Sequence, residues 1–220
     1  MSRTAIVIGA TGLVGSHLVK LLLKNNNYKS IKIFGRRTLG LKDVKIKEFI
    51  TDFDDLNSIK KEISGDVLFS TMGTTIKSAG TKEAQYKVDY TYQFEFAKMA
   101  AENGVKNYIL VSSAGANANS RFFYMRMKGE LDQAVQSLTF ENKSILRPAT
   151  LAGERTEKRA GEKFAIHVTH FMARLIPGLK KYRPIHADIV ATAMINADLK
   201  KNNTKFQIYS FEEVFSLAGK

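Results

Sequence analysis

The chain contains no cysteine. Disulfides and cysteine-ligated metal are thereby excluded, and so is any chemistry that needs a thiolate nucleophile. Long apolar runs are also missing: no stretch approaches the roughly 20 residues needed to span a bilayer. The short apolar segment near the N-terminus breaks into glycine and does not read as a signal peptide. Together with the absence of cysteine, this gives a cytoplasmic location as the expectation. Acidic residues are scarce, 21 against 34 lysines and arginines, leaving a net charge of +13. Such a surplus serves nucleic acid, an acidic membrane surface or anionic ligands. Its distribution decides among them. Nine basic and two acidic residues lie between Lys20 and Glu48, and a second basic excess runs from Arg121 to Arg183. Neither is an unbroken block, and no zinc-finger or RNA-binding motif accompanies them. We therefore expect a solvated basic surface, with some arginines reserved for a phosphorylated cofactor and no nucleic-acid partner. At 220 residues and 44% apolar content, the chain suffices for one domain with a substantial core.

What is present is most informative at residues 5–15, Ala-Ile-Val-Ile-Gly-Ala-Thr-Gly-Leu-Val-Gly. Ile6, Val7 and Ile8 are strand formers, whereas Leu18, Val19, Leu21, Leu22 and Leu23 continue in helical style. Between them, Gly9 turns the chain, Gly12 lets backbone approach a phosphate, and Gly15 brings helix close to strand. The helix N-terminus adds N–H donors and the positive end of its dipole. Thr11, Leu13 and Val14 complete this loop, which is suited to a dinucleotide pyrophosphate.

Apolar β-type runs recur at 5–9, 31–35, 44–50, 67–71, 108–112, 144–147 and 206–210, with helical patterns near 13–25, 54–63, 82–103, 121–138, 161–176 and 186–199. Alternation of this kind predicts an α/β fold, a Rossmann-type doubly wound parallel sheet with helices on both faces. Its ligand crevice lies at the carboxyl ends of the strands. The whole of 1–220 reads as one dinucleotide-binding domain, with a small substrate-side cap at about 151–183, where the strand rhythm is interrupted.

The second strand ends in Gly35-Arg36-Arg37, where NAD-binding versions of the fold carry an acidic residue for the ribose hydroxyls. Two arginines there suit a 2′-phosphate, with Arg36 also able to stack on adenine; otherwise they are ordinary exposed cations. The expected cofactor is NADP(H). Asp52 and Phe53 follow the third strand at the usual place for an adenine contact, although Asp52 equally suits capping the helix that begins near Asp54. Met72, Gly73 and Thr74 follow the fourth strand, where backbone passes the cofactor's ribose.

The fifth strand runs into Ser112-Ser113, and Tyr124 and Lys128 follow with helical four-residue spacing. That spacing puts both on one face, a turn apart. A tyrosine hydroxyl exchanges a proton with a carbonyl or alcohol, a neighbouring ammonium stabilises its phenolate, and a serine hydroxyl orients the substrate oxygen. The alternative is a packing tyrosine beside a surface lysine. A second such pair, Tyr28 and Lys32, lies in strand context with no serine before it and carries no chemistry.

These features together resemble the short-chain dehydrogenase/reductase superfamily, and more narrowly its atypical, TIP30-like group of NAD(P)-binding oxidoreductases. The narrower likeness rests on Gly35-Arg36-Arg37, Met72-Gly73-Thr74-Thr75, Lys77-x-Ala79-Gly80, Val88-Asp89, Tyr124…Lys128-Gly129-Glu130 and Arg147-Pro148, spread over about residues 5–190. The resemblance implies Tyr124 as proton donor or acceptor, and Lys128 on the nicotinamide ribose. Ser113 or Ser112 would orient the carbonyl, with Ser113 the better fit. The glycine turn, Arg36, Arg37, Met72, Gly73, Leu151 and Arg159 carry over as cofactor contacts. One departure is Asp89, which stands where many members place an asparagine of a proton relay.

The implied function is NADP(H)-dependent hydride transfer to or from a small carbonyl or alcohol substrate. The alternative is an NADP(H)-binding regulator or redox sensor with little catalysis, acting on a protein partner. Semialdehyde dehydrogenases open with a similar glycine turn but require a cysteine nucleophile, which is absent. His167 and His170, with Glu162 nearby, invite a metal reading, but the His-x-x-His pair lacks a third ligand at persuasive spacing, so no metal is expected. Phe164, Val168, Phe171, Met172 and Leu175 make that stretch an amphipathic cap helix, better suited to covering a pocket than to lying on a membrane.

Overall fold

The computed structural model describes residues 2–152, 183–200 and 204–220. Seven parallel strands form the central sheet: β1 (Arg3–Ile8), β2 (Tyr28–Gly35), β3 (Ile46–Ile50), β4 (Val67–Ser70), β5 (Asn107–Val111), β6 (Asn142–Arg147) and β9 (Phe206–Ser210). Their order is β3-β2-β1-β4-β5-β6-β9. The order reverses between β1 and β4, so a crevice opens at their carboxyl ends, as the alternation of elements led us to expect. Leu151–Ala152 (β7) and Ile185–His186 (β8) pair as a separate two-stranded ribbon. The remainder of the expected cap lies outside the described residues.

Helices cover both faces: α1 (Leu13–Lys24), α4 (Tyr92–Glu102), α5 (Phe123–Ala134) and α6 (Ala187–Leu199), with shorter α2 (Ile76–Ala79), α3 (Lys82–Tyr86) and α7 (Glu212–Leu217). Strand β1 shows why the sheet needs two covers. Ala5 and Val7 join one core with Leu18, Val19 and Leu22 of α1 and Val190, Ala191 and Met194 of α6. Ile6 and Ile8 join the other with Phe96 of α4 and Leu131 of α5. These four side chains, Ala5 to Ile8, are fully buried, so this part of the strand reads as a continuous apolar run rather than an alternation.

Two helical expectations change in detail. The segment at 54–63 forms a 3₁₀ turn, Leu56–Glu62. Asn57 and Ser58 are poor helix formers, and Leu56 is the one residue the turn buries. The stretch expected as one helix over 82–103 is α3 and α4 joined by a π turn, Lys87–Thr91. That wider turn carries buried Asp89.

At the opposite edge of the sheet from the crevice, Asp198 closes α6 onto the strand starts. Its Oδ1 accepts from Arg3 Nη2 at 2.6 Å and from Asn107 Nδ2 at 2.7 Å, and its Oδ2 accepts from Tyr28 OH at 2.6 Å. Burial pushes the carboxyl above the usual carboxylate range, against the opposing pull of Tyr28, Asn107 and Arg3. Asp198→Ala strands a guanidinium and a buried phenol. A loss of about 3–5 kcal/mol is expected in urea unfolding.

Candidate functional site

The glycine turn occupies the crevice between β1 and β4. Gly9 has φ +81°, and a Cβ there would lie 2.5 Å from Thr71 C and 2.6 Å from Met72 N. Both the backbone angle and the space therefore require glycine. Thr71 closes the pair, its N and Oγ1 donating to Ile8 O at 3.0 and 2.9 Å. Gly12 N donates to Gly9 O at 2.9 Å, and Gly12 precedes α1 with no side-chain cap. The first N–H groups of α1, at Leu13, Val14 and Gly15, thus meet no capping side chain. Thr11 and Gly12 are exposed, while Val14 and Gly15 pack inward. The cradle fits a dinucleotide pyrophosphate, because an uncapped N-terminus and side-chain-free backbone face the same opening.

Past β2, Arg36 and Arg37 are exposed and form no ion pair with a described residue. Past β3, Asp52 is exposed and its Oδ1 accepts from Asp54 N at 2.9 Å, a local turn contact; the 3₁₀ turn begins at Leu56 with Asp55 at its N-cap and no side-chain cap, so Asp52 does not cap it. Phe53 is 6% exposed and packs on Tyr92 and Phe96, with ring centroids 5.4 and 6.1 Å away. Its ring serves the core, so any adenine contact at this position falls to its backbone. Past β4, Met72 and Thr74 are half-buried and Gly73 is exposed. Leu151 lies in β7, paired with Ile185. Arg159, Glu162, His167 and His170 lie outside the described residues.

Beyond β5, Ser112 N donates to Leu146 O at 2.8 Å and Ala114 N to Pro148 O at 2.9 Å, extending the pairing with β6. Ser112 is buried, whereas Ser113 is half-buried. The following loop is fastened to α5 by Asn117 N donating to Met125 O at 3.0 Å. Gly129 makes that contact feasible: a Cβ there would sit 2.1 Å from Ala118 N and 2.2 Å from Asn117 C. Gly129→Ala is expected to push α5 off the loop, at about 1–3 kcal/mol of stability. Chemical denaturation measures the loss.

On α5, Tyr124 is 39% exposed while Lys128, one turn further, is 3% exposed. The ammonium is paired with Asp89, Nζ to Oδ1 3.0 Å, and Asp89 is itself 1% exposed. Asp89 Oδ2 also accepts from Thr74 N at 2.7 Å. Burial works to discharge Lys128, yet the neighbouring Asp89, Tyr124 and Asp132 hold it above its ordinary range. Below it, buried Asp132 pairs with Arg147 Nε at 2.8 Å. Burial raises the Asp132 carboxyl, against Ser112, Arg147 and Lys128.

The loops after β1, β4 and β5 carry the glycine turn, Met72–Thr74 and Ser112-Ser113, and Tyr124 and Lys128 stand in the first turns of α5. Asp89 entered from sequence only as a departure from a family pattern, and its pairing with Lys128 was not foreseen. Its position in an otherwise aromatic helical stretch, Tyr86, Tyr90 and Tyr92, was the available signal. Among the described residues there is no group of three or more His, Asp or Glu able to hold a metal. No described helix is long and apolar enough to cross a membrane.

Comparison with known proteins fits this geometry. The fold resembles a UDP-glucose 4-epimerase from Thermotoga maritima, with TM-score 0.67, 16% identity, and coverage of 98% of this chain and 81% of that one. It also resembles MoeE5 in complex with UDP-glucose and NAD, with TM-score 0.69, 16% identity, and coverage of 98% and 81%. In sequence, the chain is 36% identical over 227 residues to an Aspergillus niger protein named "Protein fmp52, mitochondrial", covering 100% of this chain and 96% of that protein. A Candida albicans protein, "Protein FMP52, mitochondrial", is 42% identical over 159 residues, covering 70% and 69%. These names overturn the expected cytoplasmic location: lack of cysteine and of a transmembrane run constrains chemistry, not address. A family described as NAD(P)H-binding matches residues 9–169. With the glycine cradle between β1 and β4, this establishes that the chain belongs to the NAD(P)H-binding family.

Proposed function

We propose that this chain is an NADP(H)-dependent oxidoreductase of the short-chain dehydrogenase/reductase type, close to its TIP30-like group, acting on a carbonyl or alcohol. The observation that carries the reading is an exposed Tyr124 one helical turn from a buried Lys128 on α5. Lys128 is linked through Asp89 to Thr74, in the loop after β4 whose Thr71 and Met72 backbone packs on Gly9. When bound, NADP(H) supplies or accepts the hydride. Every other requirement falls on the protein. Arg36 and Arg37 meet the 2′-phosphate as exposed donors that form no ion pair with a described residue. Leu13, Val14 and Gly15 N–H groups receive the pyrophosphate, with Gly9, Thr11 and Gly12 shaping the approach. Met72, Gly73 and Thr74 bound the ribose, Asp52 and the Phe53 backbone bound adenine, Leu151 adds a contact from β7, and Arg159 is carried over as a cofactor contact from the family resemblance alone. Tyr124 exchanges the proton at its hydroxyl, Lys128 supports that exchange electrostatically, and Ser113 or Ser112 orients the substrate oxygen.

A mitochondrial location is supported by the names of the relatives. Nucleotide-sugar substrates, named for the structural neighbours, gain no support from likeness at 16% identity.

The test is a screen of carbonyl compounds followed by NADPH consumption, with Tyr124→Phe protein as the control. The expected result is oxidation of NADPH by at least one compound class with wild type. If NADPH binds but no compound is reduced, the regulatory reading replaces this one.

A further inference from the structure

Lys128 sits in a place that disfavours its own charge. Its side chain is 4% exposed, and around it lie Asp89 from the π turn and Tyr124 and Asp132 from its own helix. Asp132 is already engaged by Arg147 of β6 at 2.8 Å. Among the described residues, the carboxylate left to compensate the ammonium is Asp89, at 3.0 Å.

Asp89 is unusually well fixed for this task. The π turn widens the helix by a residue where Asp89 points inward, an arrangement found often at functional sites. Gln93 Nε2 donates to Asp89 O at 2.6 Å, and Gln93 Oε1 accepts from Ser70 Oγ at 2.7 Å at the end of β4. Asp89 Oδ2 accepts from Thr74 N at 2.7 Å, and Gln85 Nε2 donates to Thr74 O at 3.1 Å. One carboxylate therefore links the loop that bounds the ribose to the ammonium beneath Tyr124.

We propose that Asp89 is a positioning residue of this site, holding Lys128 as an ammonium inside the protein wall and tying it to the Met72–Thr74 loop. The inference rests on Lys128 belonging to the cofactor-linked site. A merely structural role for Asp89 would be met by its hydrogen bonds alone, and asparagine retains an acceptor for Thr74 N. What asparagine removes is the charge. An isolated buried ammonium tends to lose its proton, by as much as 3–5 pH units in fully buried cases.

The experiment is side-chain ¹H–¹⁵N NMR of lysine-labelled protein across pH, with Lys128 assigned by loss of its signal in Lys128→Arg. In wild type, Lys128 is expected to give a slowly exchanging ammonium signal that persists to alkaline pH. In Asp89→Asn, that signal should convert to the neutral amine at least one pH unit lower, a tenfold change in ionisation. NADPH affinity of the variant should fall over the same pH interval, while wild-type affinity does not. Equal Lys128 titration in the two folded proteins overturns the proposal. If Asp89→Asn fails to fold, wild type decides: absence of a protected Lys128 ammonium overturns the proposal, and its presence supports it. The lysine signal requires no turnover, so failure of the proposed reductase activity leaves this result separately readable.

Discussion

Tyr124→Phe is expected to lower NADPH-driven carbonyl reduction by roughly 10²–10⁴-fold, the range that a positioned general acid contributes, while NADPH binding is retained. The substitution removes one oxygen and keeps the ring. Tyr124 is 39% exposed at the start of α5, so it is not part of the buried core. Lys128 remains buried against Asp89 at 3.0 Å, so the charge beneath the site is unchanged. Initial rates of NADPH consumption, paired with a fluorescence titration of cofactor, separate the two quantities. Undiminished turnover would falsify the role assigned to Tyr124. A parallel loss of cofactor affinity would instead make it a binding residue.

The second large effect concerns cofactor choice. Arg36→Ala/Arg37→Ala is expected to weaken NADPH binding by roughly 10–150-fold, the equivalent of about 1.5–3 kcal/mol for charge-assisted hydrogen bonds. NADH affinity should be unaffected, since it lacks the 2′-phosphate. Exposed arginines without described ion-pair partners lose little internal structure when truncated. Their attraction for phosphate should weaken as salt rises. Titrations of both cofactors at two ionic strengths check this. Equal NADH and NADPH affinity in wild type would remove the arginines from the assignment.

Much of the site was legible because its parts are local in sequence. The run Ile6-Val7-Ile8 followed by Gly9, Gly12 and Gly15 specifies strand, turn and helix within a dozen residues, and Gly9 does adopt φ +81°. The four-residue spacing of Tyr124 and Lys128 places them on one helical face whatever surrounds the helix. The segment at 54–63 was harder, because weak helix formers leave the choice between α and 3₁₀ hydrogen bonding to packing. Location in the cell was misread, since the absence of cysteine and apolar runs specifies no compartment.

What the amino-acid sequence determined alone is the order of elements, the glycine cradle and the identity of the candidate proton-transfer pair. Each follows from steric rules acting over a few residues. The tertiary structure decided which charges meet. Asp89 and Lys128 are 39 positions apart, and only the π turn and the approach of α5 bring them to 3.0 Å. Asp198 gathers partners 195, 170 and 91 positions away from the starts of three strands. Periodicity identifies which residues turn inward. The partner of a buried charge is chosen by strand order and helix packing, because its desolvation must be compensated by whatever group the fold brings within hydrogen-bond reach.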